Sequence, residues 1–213
     1  MTVATVLALQ TKLYEYSRYV ASGEYSKSGV ANKLTPVYHE ISGKKWGIIG
    51  YGNIGRAVAR AARALGADVL YYKRTPDSSS EYADVDTICR ECDIITLHCP
   101  LNEDSRYLID KRRLSLMKES AILVNEARGA VVSEADVKDA VLSGKIAAFG
   151  CDVYSSEPFG IDHPYAKLLG LPNVILTPHA AWGSYEARER CVKIICDNIR
   201  SYLSGKTLNR VDI

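Results

Sequence analysis

Trp46-Gly47-Ile48-Ile49-Gly50-Tyr51-Gly52-Asn53-Ile54-Gly55 is the stretch that decides the fold of this chain. A short apolar run ends at Gly50, three glycines follow in the spacing Gly-x-Gly-x-x-Gly, and an Ala- and Arg-rich stretch from Ile54 to Leu65 stops at Gly66. This reads as a buried strand, a tight turn and a helix. In that context Gly50 permits the turn, Gly52 lets the backbone approach a pyrophosphate, and Gly55 allows the helix to pack closely on the strand. The unpaired N–H groups at the helix start then attract phosphate. A glycine-rich turn without a ligand is the competing reading. A second strand in the expected place, Asp68 to Tyr72, favours a dinucleotide-binding unit.

The alternation continues outward from there. Apolar runs at Ile94 to Cys99, Ala121 to Asn125, Ile146 to Asp152 and Val174 to Thr177 are separated by helix-like or loop segments. Strands alternating with helices imply an α/β, Rossmann-like doubly wound parallel sheet, covered on both faces. Ser133 stands at an N-cap position ahead of a helix from Glu134 to Leu142, which stops before Gly144. Helices flank the sheet at both ends of the chain. Val3, Val6, Leu7, Leu13, Tyr14 and Val20 predict one amphipathic helix over residues 1–23, and Ala187, Cys191, Ile194, Ile195, Ile199 and Leu203 predict another from Ser184 to Leu203. The expected division is a Rossmann domain over 1–182 and a helical segment over 183–213.

With 213 residues, 47% hydrophobic and 24% charged, the chain has the composition of a globular protein. Its 27 Lys and Arg nearly balance 25 Asp and Glu, leaving a net charge of +2, which argues against a nucleic-acid surface. No run approaches the ~18 apolar residues of a membrane span, and residues 1–11 carry no cationic leader, so a cytoplasmic, membrane-free protein is expected. Cys89, Cys92, Cys99, Cys151, Cys191 and Cys196 lie within periodic apolar segments and read as reduced, buried thiols. Cys89-x-x-Cys92 lacks a second pair at ligand spacing, so no metal site is expected.

The end of the second strand chooses between dinucleotides. An acid there would hydrogen-bond the ribose of NAD, but this chain has Tyr72-Lys73-Arg74-Thr75. Two cations and a hydroxyl suit a 2′-phosphate, which favours NADP. The other possibility is NAD, with Lys73 solvated and Arg74 stacked on the adenine.

Several further stretches are similar to the D-isomer-specific 2-hydroxyacid dehydrogenases, and in particular to glycerate dehydrogenase and hydroxypyruvate reductase-like members. The most specific are Asn125-Glu126-Ala127-Arg128-Gly129, Asp152-Val153-Tyr154-Ser155-Ser156-Glu157-Pro158 and Thr177-Pro178-His179, in that order. The resemblance implies an NAD(P)-dependent oxidoreductase acting on a small 2-oxo or 2-hydroxy acid, with Arg128, Glu157 and His179 as the catalytic set. The chemistry supports it: a guanidinium fork suits the substrate carboxylate and carbonyl, an imidazole suits proton donation to the developing alkoxide, and a carboxylate favours the protonated ring. The resemblance also implies cofactor contacts from Asn53 and Ile54 at the pyrophosphate, Cys99 and Pro100 on the adenosine side, Glu126 and Ala127 near the nicotinamide, and Asp152 toward its carboxamide. His98 is read as cofactor wall, and His39 and His163 as surface or loop residues.

Two departures from the family pattern stand out. Glu126 replaces a small or hydroxyl residue, so its carboxylate is expected to crowd the cofactor or alter the local field. The segment from Phe159 to Gly170 is long for the family. The family also pairs through its first helix, so a homodimer is expected, and it carries a substrate domain of roughly 100 further N-terminal residues. The remaining functional readings are a corepressor-like dinucleotide-binding module and a catalytically silent fragment.

Overall fold

A computed structural model describes residues 1–211, and the last two positions of the expected 183–213 segment lie outside that range. The chain divides into two compact units, the first spanning Met1–Pro178 and the second beginning at His179. That division falls four residues before the expected 182/183 boundary.

The first unit is built on six parallel strands: β1 (Lys45–Ile49), β2 (Asp68–Tyr72), β3 (Ile94–Leu97), β4 (Ile122–Asn125), β5 (Ala148–Cys151) and β6 (Val174–Leu176), in the order β2-β1-β3-β4-β5-β6. β1, β3, β4 and β5 are buried almost throughout, which is why they read as unbroken apolar runs rather than alternating ones. Trp46, fully buried, places its indole N–H on Thr96 Oγ1 at 3.1 Å, satisfying both polar groups inside the sheet layer.

Helices cover both faces of the sheet, as a doubly wound fold requires. On one side α1 (Thr2–Gln10) and α4 (Asn53–Ala64) bury Val6, Leu9, Val58, Ala59 and Ala62 against Trp46, Ile48 and Val124. On the other, α5 (Val85–Glu91), α6 (Lys111–Leu116) and α7 (Glu134–Leu142) bury Ile88, Leu114, Val137 and Val141 against Ile49, Ile95, Leu123 and Phe149. α5 and α6 are N-capped by Asp84 and Asp110, whose carboxylates accept from Thr87 N and Arg113 N at 2.9 Å. Ser133 occupies the cap position of α7, but its side chain makes no capping bond.

The helix expected over residues 1–23 is in fact two, α1 and α2 (Leu13–Ala21), and a short α3 (Glu24–Ser28) follows beyond it. Lys12 turns left-handed at φ 55° between the first two, and the apolar stripe is divided there. Val6 and Leu9 enter the core, whereas Leu13, Tyr14 and Val20 remain exposed on α2. The second unit consists chiefly of α8 (Tyr185–Leu203), capped by Ser184 Oγ on Ala187 N at 3.3 Å, and none of its residues is buried. Cys191 is accordingly exposed and Cys196 half-buried, so only Cys89, Cys92 and Cys151 are buried thiols as expected of all six, with Cys99 partly covered.

Candidate active site

The strand register brings the candidate residues to one edge. Tyr72 pairs with Ile49, Ile49 with Leu97, Leu97 with Asn125, Asn125 with Cys151, and Cys151 with Leu176. Lys73, Gly50, His98, Glu126, Asp152 and Thr177 are therefore each the first residue past an aligned strand end. This carboxyl edge is where open α/β sheets bind ligands.

Gly50 turns the chain at φ 101°, and a Cβ there would lie 2.4 Å from Cys99 N and 2.5 Å from His98 C. The β1 turn is thus pressed against the exit of β3, a closeness only glycine allows. Nothing lies within 4 Å of the Cβ position of Gly52, so the N-terminus of α4 faces open space there. Arg56 donates to Asn53 Oδ1 at 2.6 Å, and Ile54 projects its side chain into solvent. Beside this turn, both ring nitrogens of His98 are buried with no hydrogen-bond partner, and burial holds its pKa down at about 4. A neutral imidazole with two orphaned nitrogens, an open glycine cradle and a free helix N-terminus together fit a bound dinucleotide. Burial pushes the Cys99 thiol up to about 11, so it stays neutral next to Pro100.

Beyond β2, Lys73 does not stand free. Its ammonium lies 2.6 Å from Asp77 Oδ2, while Arg74 makes no ion pair among the described residues and Thr75 is exposed.

At the end of β4, buried Asn125 ties the loop together: its Nδ2 donates to Arg128 O at 3.0 Å and its Oδ1 accepts from Ala127 N at 3.1 Å. The exposed Arg128 guanidinium donates back to Ala127 O at 2.7 Å. Glu126 is turned toward α1, where it accepts from Thr2 Oγ1 at 2.6 Å and Thr5 Oγ1 at 3.2 Å. Its half-buried carboxyl titrates above the usual range because of desolvation. The Glu126 carboxylate is thus an anchor for the first helix. At the end of β5, buried Asp152 accepts the Thr177 hydroxyl at 2.5 Å.

Glu157 sits in an exposed loop and accepts from Tyr154 N at 2.8 Å. The loop is held by a residue the sequence reading passed over. Glu134, at the first position of α7, accepts from Ser155 N at 2.8 Å and Ser155 Oγ at 2.5 Å, and lies 3.0 Å from His163 Nε2. His163 Nδ1 accepts from Tyr165 N at 3.1 Å, so Nε2 carries the hydrogen and donates it to Glu134. One buried carboxylate thereby pins both ends of the Ser155–His163 loop. His163, expected on the surface or in a loop, has a side chain only 7% exposed. The loop also presses on Gly129, where a Cβ would lie 2.0 Å from Tyr154 C. His179 opens the second unit in a left-handed conformation, φ 52°. No group of His, Cys, Asp and Glu suited to hold a metal, and no helix long and apolar enough to cross a membrane, occurs among the described residues.

Strand, glycine turn, helix and open carboxyl edge define a nucleotide-binding domain of the doubly wound α/β class. Residues 3–181 match the family described as D-isomer specific 2-hydroxyacid dehydrogenase, NAD binding domain, and the chain belongs to that family. It is 40% identical over 178 residues to a hydroxypyruvate reductase of Blautia hydrogenotrophica, covering 81% of this chain and 54% of that protein. It is 36% identical over 213 residues to a glyoxylate reductase of Thermococcus litoralis, covering 97% and 63%. Among solved structures, the NAD-complexed D-isomer specific 2-hydroxyacid dehydrogenase of Lactobacillus delbrueckii ssp. bulgaricus superposes with a TM-score of 0.85 at 31% identity, over 98% of this chain and 66% of that one. The chain thus spans between about half and two thirds of the length of these relatives.

Proposed function

We propose that this chain binds a nicotinamide dinucleotide and serves an oxidoreductase that interconverts small 2-oxo and 2-hydroxy acids of the glyoxylate, hydroxypyruvate, glycerate or lactate type. The observation that carries the reading is the alignment of Gly50, Lys73, His98, Glu126, Asp152 and Thr177 just beyond six strand ends in register. Gly50, Gly52, Asn53, Ile54 and Gly55 cradle the pyrophosphate on the N-terminus of α4, with Cys99 and Pro100 on the adenosine side. Ala127, the Glu126 backbone and Asp152 face the nicotinamide half. The cofactor supplies the hydride when bound.

The protein supplies recognition and the proton. Arg128 offers the substrate carboxylate a permanently charged planar fork, and Asn125 holds its loop in shape. His179 is the proton donor to the carbonyl oxygen in reduction and the acceptor in oxidation, and Glu157 is the carboxylate of the same set. NADP is the preferred dinucleotide, read from Lys73, Arg74 and Thr75, with Arg74 the uncommitted cation. The protein acts as a cytoplasmic homodimer. The apolar groove of about 530 Å³ that Leu13, Tyr14 and Ser17 of α2 form with Leu169, Leu171 and Leu176 supports pairing through this region.

Fluorescence titration with NADH and NADPH, followed by turnover with a panel of 2-oxo acids, tests the reading. Binding of both dinucleotides is expected, and His179→Ala and Arg128→Ala should each remove most of the turnover, the first through kcat and the second through kcat and KM. Binding without turnover would favour a dinucleotide-binding module, and failure to bind either cofactor would end the proposal. A monomeric mass by light scattering at micromolar concentration would refute the dimer.

A further inference from the structure

Asp77 belongs to none of the sets named above, yet it occupies one of the two cations at the ribose edge. Its carboxylate gathers three kinds of donor: the Tyr71 hydroxyl, at 2.9 Å from Oδ1 and 2.8 Å from Oδ2, the Lys73 ammonium at 2.6 Å from Oδ2, and Ser79 N at 3.2 Å from Oδ1. An ammonium, a phenol and a backbone amide are the donors that grip a phosphate monoester. Here the anion they hold is the chain's own.

The receptor is joined to the glycine turn. Tyr71 is buried and stacks on Tyr51, the second residue of the Gly50-Tyr51-Gly52 turn, with ring centroids 3.7 Å apart and planes 7° from parallel. The phenol is therefore a fixed point next to the cofactor cradle rather than a mobile surface group. The Lys73–Asp77 pair is about one-third exposed on each side, so an incoming ligand can reach it. The titration directions agree: the Lys73 ammonium holds the Asp77 carboxyl below its ordinary range, and Asp77 raises Lys73.

We infer that Asp77 is a built-in competitor for the 2′-phosphate of a dinucleotide, holding Lys73 and Tyr71 against it and thereby weakening the chain's preference for NADPH over NADH. The inference rests on the dinucleotide reading above. A 2′-phosphate carries roughly 1.5 to 2 negative charges at neutral pH. With Asp77 in place it meets a local charge of about +1 from Lys73, Arg74 and Asp77 together; without that carboxylate it meets about +2. A 2′-hydroxyl suffers no such repulsion and is able to donate to Asp77.

Calorimetric titration of 2′,5′-ADP and of 5′-ADP into the wild-type chain and Asp77→Asn tests this without any turnover. Asparagine keeps an oxygen to accept from Tyr71 and Ser79 but gives up the charge. The expected result is 2′,5′-ADP binding tightened about three- to tenfold at low salt, 5′-ADP unchanged or slightly weakened, and the gain shrinking as salt rises. Lys73→Ala on the Asp77→Asn background should cancel the gain, and NADPH and NADH should follow the same order. If both nucleotides bind and their affinity ratio is the same in wild type and Asp77→Asn, the competitor role is refuted while the cofactor site stands. If neither binds to the wild-type chain, the dinucleotide reading falls and this inference with it.

Discussion

Removing the buried Glu134 carboxylate should be among the more damaging single changes to a polar residue of the first unit. In Glu134→Ala three hydrogen bonds to an acidic oxygen disappear, those from Ser155 N, Ser155 Oγ and His163 Nε2. The hydroxyl and amide of exposed Ser155 can turn to water, but the buried imidazole N–H is left without an acceptor. Hydrogen bonds to charged groups contribute about 1.5–3 kcal/mol each, and an orphaned buried donor costs about 1–3 kcal/mol. Because the three bonds share one acceptor they do not add fully, and a loss of about 4 kcal/mol is expected. For a chain of this size that corresponds to a Tm lower by roughly 8–16 °C. Glu134→Gln keeps the shape and one carbonyl acceptor, so about half that loss is expected. Chemical denaturation monitored by circular dichroism measures both. The double variant Glu134→Ala/His163→Phe should lose clearly less than the sum of its single changes, since no imidazole donor remains to be orphaned. A Glu134→Ala loss below about 1 kcal/mol, or strict additivity in the double variant, would refute the clasp.

Two other outcomes follow from close contacts and burial. Gly129→Ala puts a methyl group 2.0 Å from a backbone carbon of Tyr154, which has no side-chain freedom with which to retreat, so a loss of about 2–3 kcal/mol in denaturant unfolding is expected; a variant as stable as wild type would mean that the two backbones separate easily. His98 has a folded pKa of about 4 against an ordinary value near 6.5. Its neutral ring therefore contributes stability that is fully present above about pH 6.5 and lost as pH falls through 4, on the order of 3 kcal/mol. His98→Leu should flatten the stability profile over that window, and an unchanged slope would refute the assignment.

The centre of the sheet was legible because β1, β3, β4 and β5 are buried on both faces. Asp68–Tyr72 matches its expected range, and the other apolar runs locate their strands with ends displaced by a residue or two. At those ends the backbone leaves the ladder while the composition stays apolar, as at Ile146 ahead of β5. The glycine turn was legible for a related reason: Gly50 marks a close approach that any Cβ would block. The break at Lys12 was not, because lysine is no helix breaker and apolar spacing continues across it. Long-range polar contacts were equally hidden. Glu126 meets Thr2 and Thr5 across more than a hundred residues, and Glu134 meets Ser155 and His163 across 21 and 29. A carboxylate in a sequence carries no mark of the donor it will face. Glu126, where the chain departs from the family pattern, finds its side-chain partners on α1. Asp77 is hidden in the same way: nothing in the order of residues 73–77 shows that its carboxylate turns back onto the Lys73 ammonium.

The chain has two tryptophans, one in each unit. Trp46 is sealed in the sheet layer with its indole bonded to Thr96, whereas Trp182 is 60% exposed. Their emission should separate by colour, a blue component from the first and a red, iodide-quenchable component from the second. The molecule thus carries its own pair of spectroscopic reporters. The melting of the nucleotide-binding sheet becomes measurable without labelling, as the red shift of Trp46 read against the exposed Trp182 as an internal reference.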